Sequence, residues 1–449
     1  MTKCETMKRL LILAYDFPPY VSVGGLRPYA WYKYLKEFGV YPIVVTRQWG
    51  NKYGSGLDYI APSESTETFV EETECGTVIR TPYKPNLANR LMLKYGSSKF
   101  ALLRKAITAF YEFVQFLFFV GPKSGIYRGA KNYLKANKVD AIIATGEPFI
   151  LFKYASALSK KHHLPWIADY RDPWVQNKNR NQFMGRWNAF FERKYLKNAA
   201  AVTTVSDFFK KKISENISFK NSCIIINGYN PEAIESVSHI AQQSDKLRIA
   251  FAGTIYDWHP YKSVLSVFAE FAQSRNAELN FFGISRPDEI SQMVAKNHWN
   301  EIIHVYPRMR NSDLLEQLCR HNIMLLFNDY SFIGTKIYDY LAIKRKILLC
   351  FRNDNDSNLL KAKFYPYSHS VDESFSNHLQ EDCLNHTQAG VVVENKEHLR
   401  TVLSELYDEF CRNGYIDCPS QNLEQYSRKH GAKLLAEFVD DISKIGFSL

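Results

Sequence analysis

The stretch KRLLILAYDFPPYVSVGG (8–25), followed by LRPYAWYKYLKEFGVYPIVVT (26–46), decides the fold. Residues 8–14 contain a short unbroken apolar run bounded by turn residues, which indicates a strand of a parallel sheet covered on both faces. A loop with prolines and a glycine pair leads into a helical stretch that ends at Gly39, and a second apolar run follows at 41–46. Strand, glycine-containing loop, helix and strand predict a right-handed βαβ unit.

The alternation of strands and helices continues through the N-terminal half of the chain. Residues 47–98 are polar and contain several Gly and Pro residues, so we predict a long variable loop there, and we predict helix over 99–135. Short apolar runs predict four further strands, at 140–146, 164–170, 199–206 and 222–229. Together with the first βαβ unit, these elements predict one complete doubly wound domain over residues 1–230.

The same alternation restarts after a polar segment, 231–246, which we predict as a linker. Six apolar runs predict the strands of a second doubly wound domain over 247–430, at 247–253, 277–283, 301–307, 322–328, 345–351 and 389–394. A helix over 431–449 closes the chain and could return to the N-terminal domain. A chain of 449 residues exceeds what one core usually serves. The predicted fold class is therefore α/β, with two Rossmann-like domains that face a central cleft.

Composition and charge narrow the possible partners. Hydrophobic residues make up 46% of the chain and charged residues 23%, which excludes wholesale disorder. The formal net charge of +11 favours anionic partners such as nucleotides, phospholipid surfaces and polyprenyl diphosphates. We predict no nucleic-acid partner, because no reader motif accompanies the basic charge.

The cysteines and the N-terminus favour a cytoplasmic protein. Eight cysteines are scattered without CxxC or Cys/His ligand spacing, which indicates reduced thiols and no zinc site. Only Leu10–Ala14 is continuously apolar near the N-terminus. This run is too short for a signal peptide or a membrane span.

Three groups of residues are candidates for a functional site, and the first is Gly24, Gly25 and Arg27. They lie between the first predicted strand and the first predicted helix. A glycine pair lets the backbone approach a ligand closely, and a helix N-terminus offers N–H groups to an anion, so these residues are candidate phosphate ligands. A tight turn without a ligand explains the loop equally well. The loop lacks the GxGxxG pattern, which disfavours a dinucleotide-dependent oxidoreductase.

The second group is Asp169, Arg171 and Asp172 in the segment DYRDPW (169–174), which follows a predicted strand. Sheets of this class bind ligands at the carboxyl ends of their strands. Arg171 could bind a phosphate or a sugar hydroxyl, and either acid could orient it. One of the acids could instead be purely structural, because Asp-Pro pairs also cap helices.

The third group lies in the segment SFIGTKIYDYLAIKRKILL (331–349). Lys336 and Asp339 are three residues apart at the start of a predicted helix, so both side chains could face one opening. Gly334 and Thr335 precede that helix and offer backbone N–H groups to a diphosphate. A carboxylate suits the two neighbouring hydroxyls of a ribose. The alternative is a capped helix with a solvated Lys–Asp pair.

These motifs, in this order, resemble the GT-B glycosyltransferases of family 4, particularly those that build bacterial surface polysaccharides. The matching segments are FPPYVSVGGLRPY, ADYRDPW, TTVS, NGY, IAFAGTIY and KIYDYLA, and they extend over roughly residues 8–440. The resemblance implies a retaining transfer of a sugar from a nucleoside-diphosphate sugar to a glycan or a polyprenyl-diphosphate-linked acceptor. It also implies an enzyme without metal or cofactor, in the cytoplasm or at the inner face of the cytoplasmic membrane.

The resemblance assigns roles to single residues as well. Asp339 matches a carboxylate that holds the donor ribose, and Ser331 stands eight residues earlier, where the family usually has Glu. Thr254 stands where many members have an Arg for the donor diphosphate, so we assign that role to Lys336. The other implied positions are His259 and Lys262 as approximate substitutes for that Arg, Tyr306 and Arg308 at the nucleotide base, Arg171 and Asp172 at the reacting sugar, and Asp16, Glu147 and Asp169 on the acceptor side.

The stretch AITAFYEFVQFLFFVG (106–121) is the most apolar in the chain. Four basic residues flank it, Arg104, Lys105, Lys123 and Arg128. A run of 16 residues with two polar side chains inside does not span a bilayer. An aromatic amphipathic helix of this kind could rest on anionic lipid, which predicts peripheral membrane contact through 104–128. The alternative is a helix packed against the N-terminal sheet.

Two other functions stay open at this point. A nucleotide-sugar epimerase of the same two-domain shape would need acidic and His residues around the sugar, which the sequence does not locate, although the missing Glu keeps this possibility open. A non-catalytic relative that binds a nucleotide sugar or a glycan is favoured by Ser331 and Thr254. It is opposed by Gly24, Gly25, Arg171, Lys336 and Asp339. Hydrolysis of a donor without an acceptor would separate an enzyme from a binding protein.

Overall fold

The computed structural model describes residues 7–50, 56–177, 184–368 and 376–445. The chain forms two compact units. The first unit comprises Met1–Asn227 and Arg428–Leu449, and the second unit comprises Gly228–Ser427. The segment 231–246, predicted as a linker, lies inside the second unit, and its first residues form a short helix.

The first unit is built on a sheet with eight strands in the described part of the chain. These are β1 (Lys8–Leu13), β2 (Val40–Arg47), β3 (Phe69–Glu72), β4 (Thr77–Thr81), β5 (Ala141–Gly146), β6 (Trp166–Tyr170), β7 (Ala201–Thr204) and β8 (Ser222–Ile224). Their order is β3-β4-β2-β1-β5-β6-β7-β8. All neighbouring pairs are parallel except β3 and β4. Residues 10–13 are fully buried, as expected for a parallel strand with helices on both faces.

The helices between these strands correct two sequence predictions. They are α1 (Val23–Tyr34), α2 (Leu87–Tyr95), α3 (Ala101–Gln115), α4 (Ser124–Ala136), α5 (Ile150–His162), α6 (Gly185–Leu196) and α7 (Asp207–Ser214). The predicted loop 47–98 contains β3, β4 and α2. Strand β4 pairs with β2 inside the sheet, yet its sequence TVIRT has no apolar run to indicate a strand. The predicted helix 99–135 is divided into α3 and α4, because Gly121 and Pro122 lie between them.

The second unit repeats the doubly wound pattern. Its strands are β9 (Leu247–Ala252), β10 (Ala277–Phe282), β11 (Ile303–Tyr306), β12 (Ile323–Phe327), β13 (Lys346–Cys350) and β14 (Gly390–Val393), in the order β11-β10-β9-β12-β13-β14. All neighbouring pairs are parallel. The helices are α8 (Pro231–Glu235), α9 (Tyr261–Ala272), α10 (Pro287–Lys296), α11 (Asn311–Arg320), α12 (Lys336–Ala342), α13 (Asn355–Phe364), α14 (Leu379–Thr387) and α15 (Lys396–Asn413).

The last helix, α16 (Arg428–Ile445), is part of the first unit. It packs against α1, and Ala432, Leu435 and Val439 are fully buried in the same core cluster as β1. The final residues of the helix predicted over 431–449 lie outside the described ranges. None of the helices in those ranges is long and apolar enough to cross a membrane.

The strand orders confirm the predicted class of two Rossmann-like units. Counted along each unit, with the antiparallel β3 left out, both sheets begin with the order 3-2-1-4-5-6. The direction of winding reverses between β1 and β5 in the first unit and between β9 and β12 in the second unit. Sheets of this kind bind ligands in the crevice at the carboxyl ends of the strands, where the winding reverses.

Candidate active site

At the carboxyl end of β1, Asp16 lies beside the start of α1. Ser22 caps this helix, because its hydroxyl accepts a hydrogen bond from the Gly25 backbone N–H at 3.0 Å. The same hydroxyl donates to Oδ2 of Asp16 at 2.7 Å. Oδ1 of Asp16 is buried and has no hydrogen-bond partner within the described ranges. This oxygen can therefore accept a hydrogen bond from a ligand without losing one from the protein.

Burial raises the pKa of Asp16, and the Ser22 hydrogen bond and the positive charges of Arg171, Arg47 and Lys123 oppose this effect. The carboxylate is thus surrounded by basic groups of the first unit. Their combined field favours an anionic or hydroxyl-rich ligand at this point.

Gly24 brings Asp16 and Arg171 together. A Cβ atom at position 24 would lie 2.7 Å from Oδ2 of Asp16 and 2.8 Å from Nη1 of Arg171. Only a residue without a side chain leaves Asp16 and Arg171 in place. Position 24 therefore requires glycine, for a reason that the sequence alone did not show. Arg171 also lies 3.6 Å from Asp172 through its Nε, and both side chains are partly exposed.

Arg27 and Asp169, predicted to contact ligands, instead pair with each other beneath this site. Nη2 of Arg27 lies 2.8 Å from Oδ1 of Asp169, with side-chain exposures of 4% and 0%. Thr203 donates a further hydrogen bond to Asp169 at 2.7 Å, and Arg27 donates to the backbone carbonyl of Ile225. The pair ties α1 to β6, β7 and the chain after β8. It is a buried structural ion pair, and removing one partner would strongly destabilise the folded state.

A cavity of about 310 Å³ opens in the first unit beside the end of β5. Its lining includes Glu112, Gln115, Lys123, Glu147, Trp174 and Asn177. Trp174 stacks on Phe149 with ring centroids 5.0 Å apart and planes inclined by 6°. Polar groups next to aromatic faces suit a sugar, which presents hydroxyls at its edge and C–H groups on its faces. Glu147 was predicted at such a site, whereas the contributions of α3 and Trp174 were not.

In the second unit, Lys336 and Asp339 lie where the winding of the sheet reverses. Nζ of Lys336 is 3.3 Å from Oδ2 of Asp339, and their side chains are 28% and 14% exposed. A Cβ atom on Gly253, directly after β9, would lie 3.5 Å from Cγ of Lys336. The Ala252 N–H donates to the Tyr340 hydroxyl at 2.8 Å, which fixes the start of α12 against the end of β9. The lysine is therefore held at the carboxyl end of the central strand.

A second polar group lies beside the loop before α12, and sequence reasoning missed one of its members, Asp329. Asp329 follows β12 and accepts a hydrogen bond from Nε2 of the buried His259 at 2.8 Å. The Tyr256 N–H donates to Nδ1 of His259, which assigns the ring proton to Nε2. Oδ2 of Asp329 would lie 3.7 Å from a Cβ atom on Gly334. The signal available in the sequence was the position of Asp329 directly after the strand predicted at 322–328.

The other predicted residues of the second unit have different surroundings. Ser331 is buried. Its N–H donates a hydrogen bond to the Tyr365 hydroxyl, and its own hydroxyl donates one to Oδ1 of Asn377. Thr254 is exposed, and Lys262 is 66% exposed and pairs with Glu289 at 3.3 Å. Thr335 directly precedes α12.

The predicted base-binding residues lie at the edge of the second sheet. Tyr306 ends β11 and stacks on Phe282 with ring centroids 4.9 Å apart and planes inclined by 11°. Arg308 follows, with its Cα 3.3 Å from the Cβ that a side chain at Gly283 would have. The ring of Tyr306 is 40% exposed and so presents a flat apolar face to a ligand.

Residues 29–233 match the sequence model of Glycosyltransferase Family 4. The chain has the GT-B fold, and its residues 29–233 are similar to family 4 glycosyltransferases. Solved structures with the same fold include an α,α-trehalose-phosphate synthase (UDP-forming) from Burkholderia xenovorans in complex with glucose-6-phosphate. It has 11% identity and a TM-score of 0.54 to this protein, over 97% of this chain and 99% of that chain. A search of curated proteins finds no significant match.

Two further solved structures are similar to this protein. One is the catalytic domain of starch synthase IV from Arabidopsis thaliana bound to ADP and acarbose, with 8% identity, 98% and 99% of the two chains covered, and a TM-score of 0.52. The other, from E. coli, is described as trehalose-6-phosphate bound with UDP-2-fluoro glucose, with 10% identity, 98% of each chain covered, and a TM-score of 0.52. At these identities the similarity establishes the GT-B fold.

A buried acid of the first unit predicts how the stability of the protein depends on pH. Glu192 on α6 is fully buried, and this burial raises its pKa to about 7. Hydrogen bonds from Tyr170 and Asn216 oppose the rise. The folded state then binds a proton more tightly than the unfolded state, so stability is highest at low pH and falls as the pH rises towards about 7.

We therefore expect the melting temperature of the wild type to fall between pH 5 and pH 8, corresponding to roughly 3 kcal/mol of unfolding free energy from this group. The pH dependence should become flatter in Glu192→Gln and stay unchanged in the control Glu215→Gln, which alters an exposed acid. An equal slope in the wild type and in Glu192→Gln would contradict the assignment.

Proposed function

We propose that the protein transfers a sugar from a nucleoside-diphosphate sugar to a glycan or lipid-linked glycan acceptor, with retention at the anomeric carbon. The observation that carries the proposal is the position of Lys336 and Asp339 at the carboxyl end of β9, where the winding of the second sheet reverses. Two structures with the same fold are described with bound UDP-2-fluoro glucose and with bound ADP, which supports a nucleotide-based donor.

The second unit supplies the residues proposed for the donor. Lys336 provides positive charge for the diphosphate, and Asp339 accepts hydrogen bonds from the ribose hydroxyls. Tyr306 offers a stacking face for the base, with Arg308 beside it. Because α12 has only seven residues, the charge of the lysine carries this assignment rather than the end of the helix.

The first unit supplies the residues proposed for the acceptor and the reacting sugar. The cavity beside Glu147 provides carboxylates, amides and the face of Trp174 for acceptor hydroxyls and sugar rings. Asp16 and Arg171 both lie beside Gly24 and can bind hydroxyl or phosphate groups at the end of β1. The unpartnered Oδ1 of Asp16 is the acceptor atom that such a ligand would use.

In the proposed reaction, the acceptor hydroxyl attacks the anomeric carbon on the face that the diphosphate leaves. The hydroxyl proton passes to the leaving phosphate, so the protein needs no strong base of its own. Its residues orient the two substrates and stabilise the developing negative charge, for which Lys336 is the assigned group. We place this transfer in surface polysaccharide synthesis, in the cytoplasm at the inner face of the membrane.

The test uses the full chain with nucleoside-diphosphate sugars labelled in the sugar. The acceptor pool is a chloroform–methanol extract of polyprenyl-diphosphate-linked saccharides. We expect release of one nucleoside diphosphate, transfer of label to the extract, and a product whose anomeric configuration matches that of the donor by NMR. Transfer with the opposite configuration would refute retention, and donor turnover to a second nucleotide sugar would refute transfer in favour of epimerisation.

Metal removal tests the role given to Lys336. Because a side-chain cation is assigned to the diphosphate, transfer should change less than about two-fold after EDTA treatment. The control is an enzyme sample in the same buffer with EDTA pre-saturated with magnesium. Loss of transfer on EDTA treatment, with recovery on added magnesium or manganese, would contradict the assignment.

A further inference from the structure

The hairpin formed by α2 and α3, with the turn between them and residues 116–120, carries an unusual share of exposed apolar side chains. About half of the large hydrophobic residues exposed in the described ranges lie within residues 87–120. They are Leu87, Leu93, Tyr95, Phe100, Leu102, Leu103, Phe110, Phe113, Leu117, Phe118, Phe119 and Val120. Isolated exposed apolar residues are common, but a patch of this extent marks an interaction surface.

The apolar residues are exposed because α3 does not pack on the sheet along its length. Gln115, at its last position, is the only buried residue that α3 contributes within the described structure. The end of α3 is anchored by aromatic contacts with α6, where Phe113 stacks on Trp187 at 4.2 Å. Towards its N-terminus, α3 packs against α2, and Leu102 is 83% exposed. The alternative of a helix packed against the N-terminal sheet is therefore wrong for most of α3.

The turn of the hairpin is nevertheless well organised. Arg104 donates hydrogen bonds to the backbone carbonyls of Ser97 and Lys99, and its Nη1 lies 2.8 Å from the sulfur of Met92. Tyr95 and Phe100 pack edge to face across the turn at 5.2 Å. These contacts hold the apolar residues of both helices in one arrangement.

The same segment is strongly basic. Residues 87–128 contain a single acid, Glu112, and seven basic residues, Arg90, Lys94, Lys99, Arg104, Lys105, Lys123 and Arg128. Aromatic and aliphatic side chains surrounded by Lys and Arg are the composition of a helix that lies in the interface of an anionic bilayer. A symmetric contact between two copies would instead bring the two basic clusters close together.

We infer that the α2–α3 hairpin docks on the surface of an anionic phospholipid bilayer, with its apolar side chains among the acyl chains and its basic residues at the headgroups. The surface differs from the stretch expected from the sequence, because it includes α2 and the turn at 96–100. Docking also has a consequence that rests on the proposed function. Glu112 and Gln115 of α3 line the cavity proposed for the acceptor, so docking places that cavity next to the bilayer.

The test measures co-sedimentation of the purified full chain with vesicles, without any substrate. One vesicle preparation is phosphatidylcholine alone, and the other contains phosphatidylglycerol as well. We expect at least about ten-fold more bound protein on the anionic vesicles, decreasing with added salt because exposed charges are screened. Two variants, Leu102→Ser with Phe110→Ser and Lys99→Glu with Lys105→Glu, should each lose most of this binding.

Matched controls change similar residues elsewhere. Val70→Ser with Leu359→Ser alters exposed apolar residues, and Lys160→Glu with Lys161→Glu alters exposed charges on α5. Both should bind vesicles like the wild type. Equal binding to both vesicle types, or equal losses in control and hairpin variants, would overturn the inference. A dimer in light scattering that only the hairpin variants dissociate, without vesicle binding, would assign the surface to a second copy. Nucleotide binding, measured without vesicles, tests the proposed function separately.

Discussion

Lys336→Ala is expected to lower sugar transfer by roughly 100- to 1000-fold, which is the usual cost of removing one group that stabilises a developing negative charge. The side chain is partly exposed and forms an ion pair with Asp339, three residues away on α12. Such a pair contributes little to stability, so the melting temperature should stay close to that of the wild type. The measurement is the initial rate of nucleoside diphosphate release in the presence of acceptor.

Two lysines provide the comparison for this variant. Lys212→Ala removes a lysine of α7 that pairs at 2.7 Å with Glu215, the residue directly after the helix, and this variant should transfer sugar at the wild-type rate. Lys262→Ala tests the other lysine considered for the diphosphate. Because the Lys262 side chain is 66% exposed, we expect this variant to change the transfer rate only slightly. A large loss in Lys262→Ala with full activity in Lys336→Ala would reverse the assignment.

Gly24→Ala is expected to lower transfer by about 100-fold without lowering the melting temperature. The added methyl group would lie within 2.8 Å of both Asp16 and Arg171, so at least one of these side chains has to move. Both contacts are with the ends of flexible side chains, and alanine is at least as favourable as glycine within a helix. Displacement of an orienting group by about 1 Å commonly costs this much in rate.

The neighbouring glycine is the matched control. A methyl group on Gly25 would meet the backbone of Asp16 and Phe17 at 3.4 Å, which is ordinary contact distance. Gly25→Ala should therefore keep nearly full activity. Equal losses in the two variants would show that the loop backbone, and not the placement of Asp16 and Arg171, determines the rate.

Apolar runs were sufficient to predict most strands of both sheets. The strand β4 was not predicted, because the segment TVIRT contains only two apolar residues between polar ones. It is recognised as a strand only through its pairing with β2. The GT-B fold and the family resemblance were predicted from ordered motifs; the structure confirms the fold, and residues 29–233 match the family 4 model. The roles of the single site residues stay predictions.

The arrangement of the site residues was harder to predict, because partners are distant in sequence. Asp169 and Asp172 look alike in DYRDPW, but Asp169 lies within β6 and points into the core towards Arg27, whereas Asp172 follows the strand. Sequence reasoning gave His259 an approximate role, and its partner Asp329 is 70 residues away. Such pairs depend on which strands become neighbours and on which face each side chain takes.

The most direct test of the donor site is a thermal-shift screen of the wild type and Lys336→Ala with UDP, GDP, ADP and CMP and their sugars. A ligand that binds only the folded state raises the melting temperature. We predict that one nucleoside diphosphate and its sugars stabilise the wild type and that this shift is lost in Lys336→Ala. No shift with any nucleotide, or an equal shift in both proteins, would contradict the donor site at Lys336.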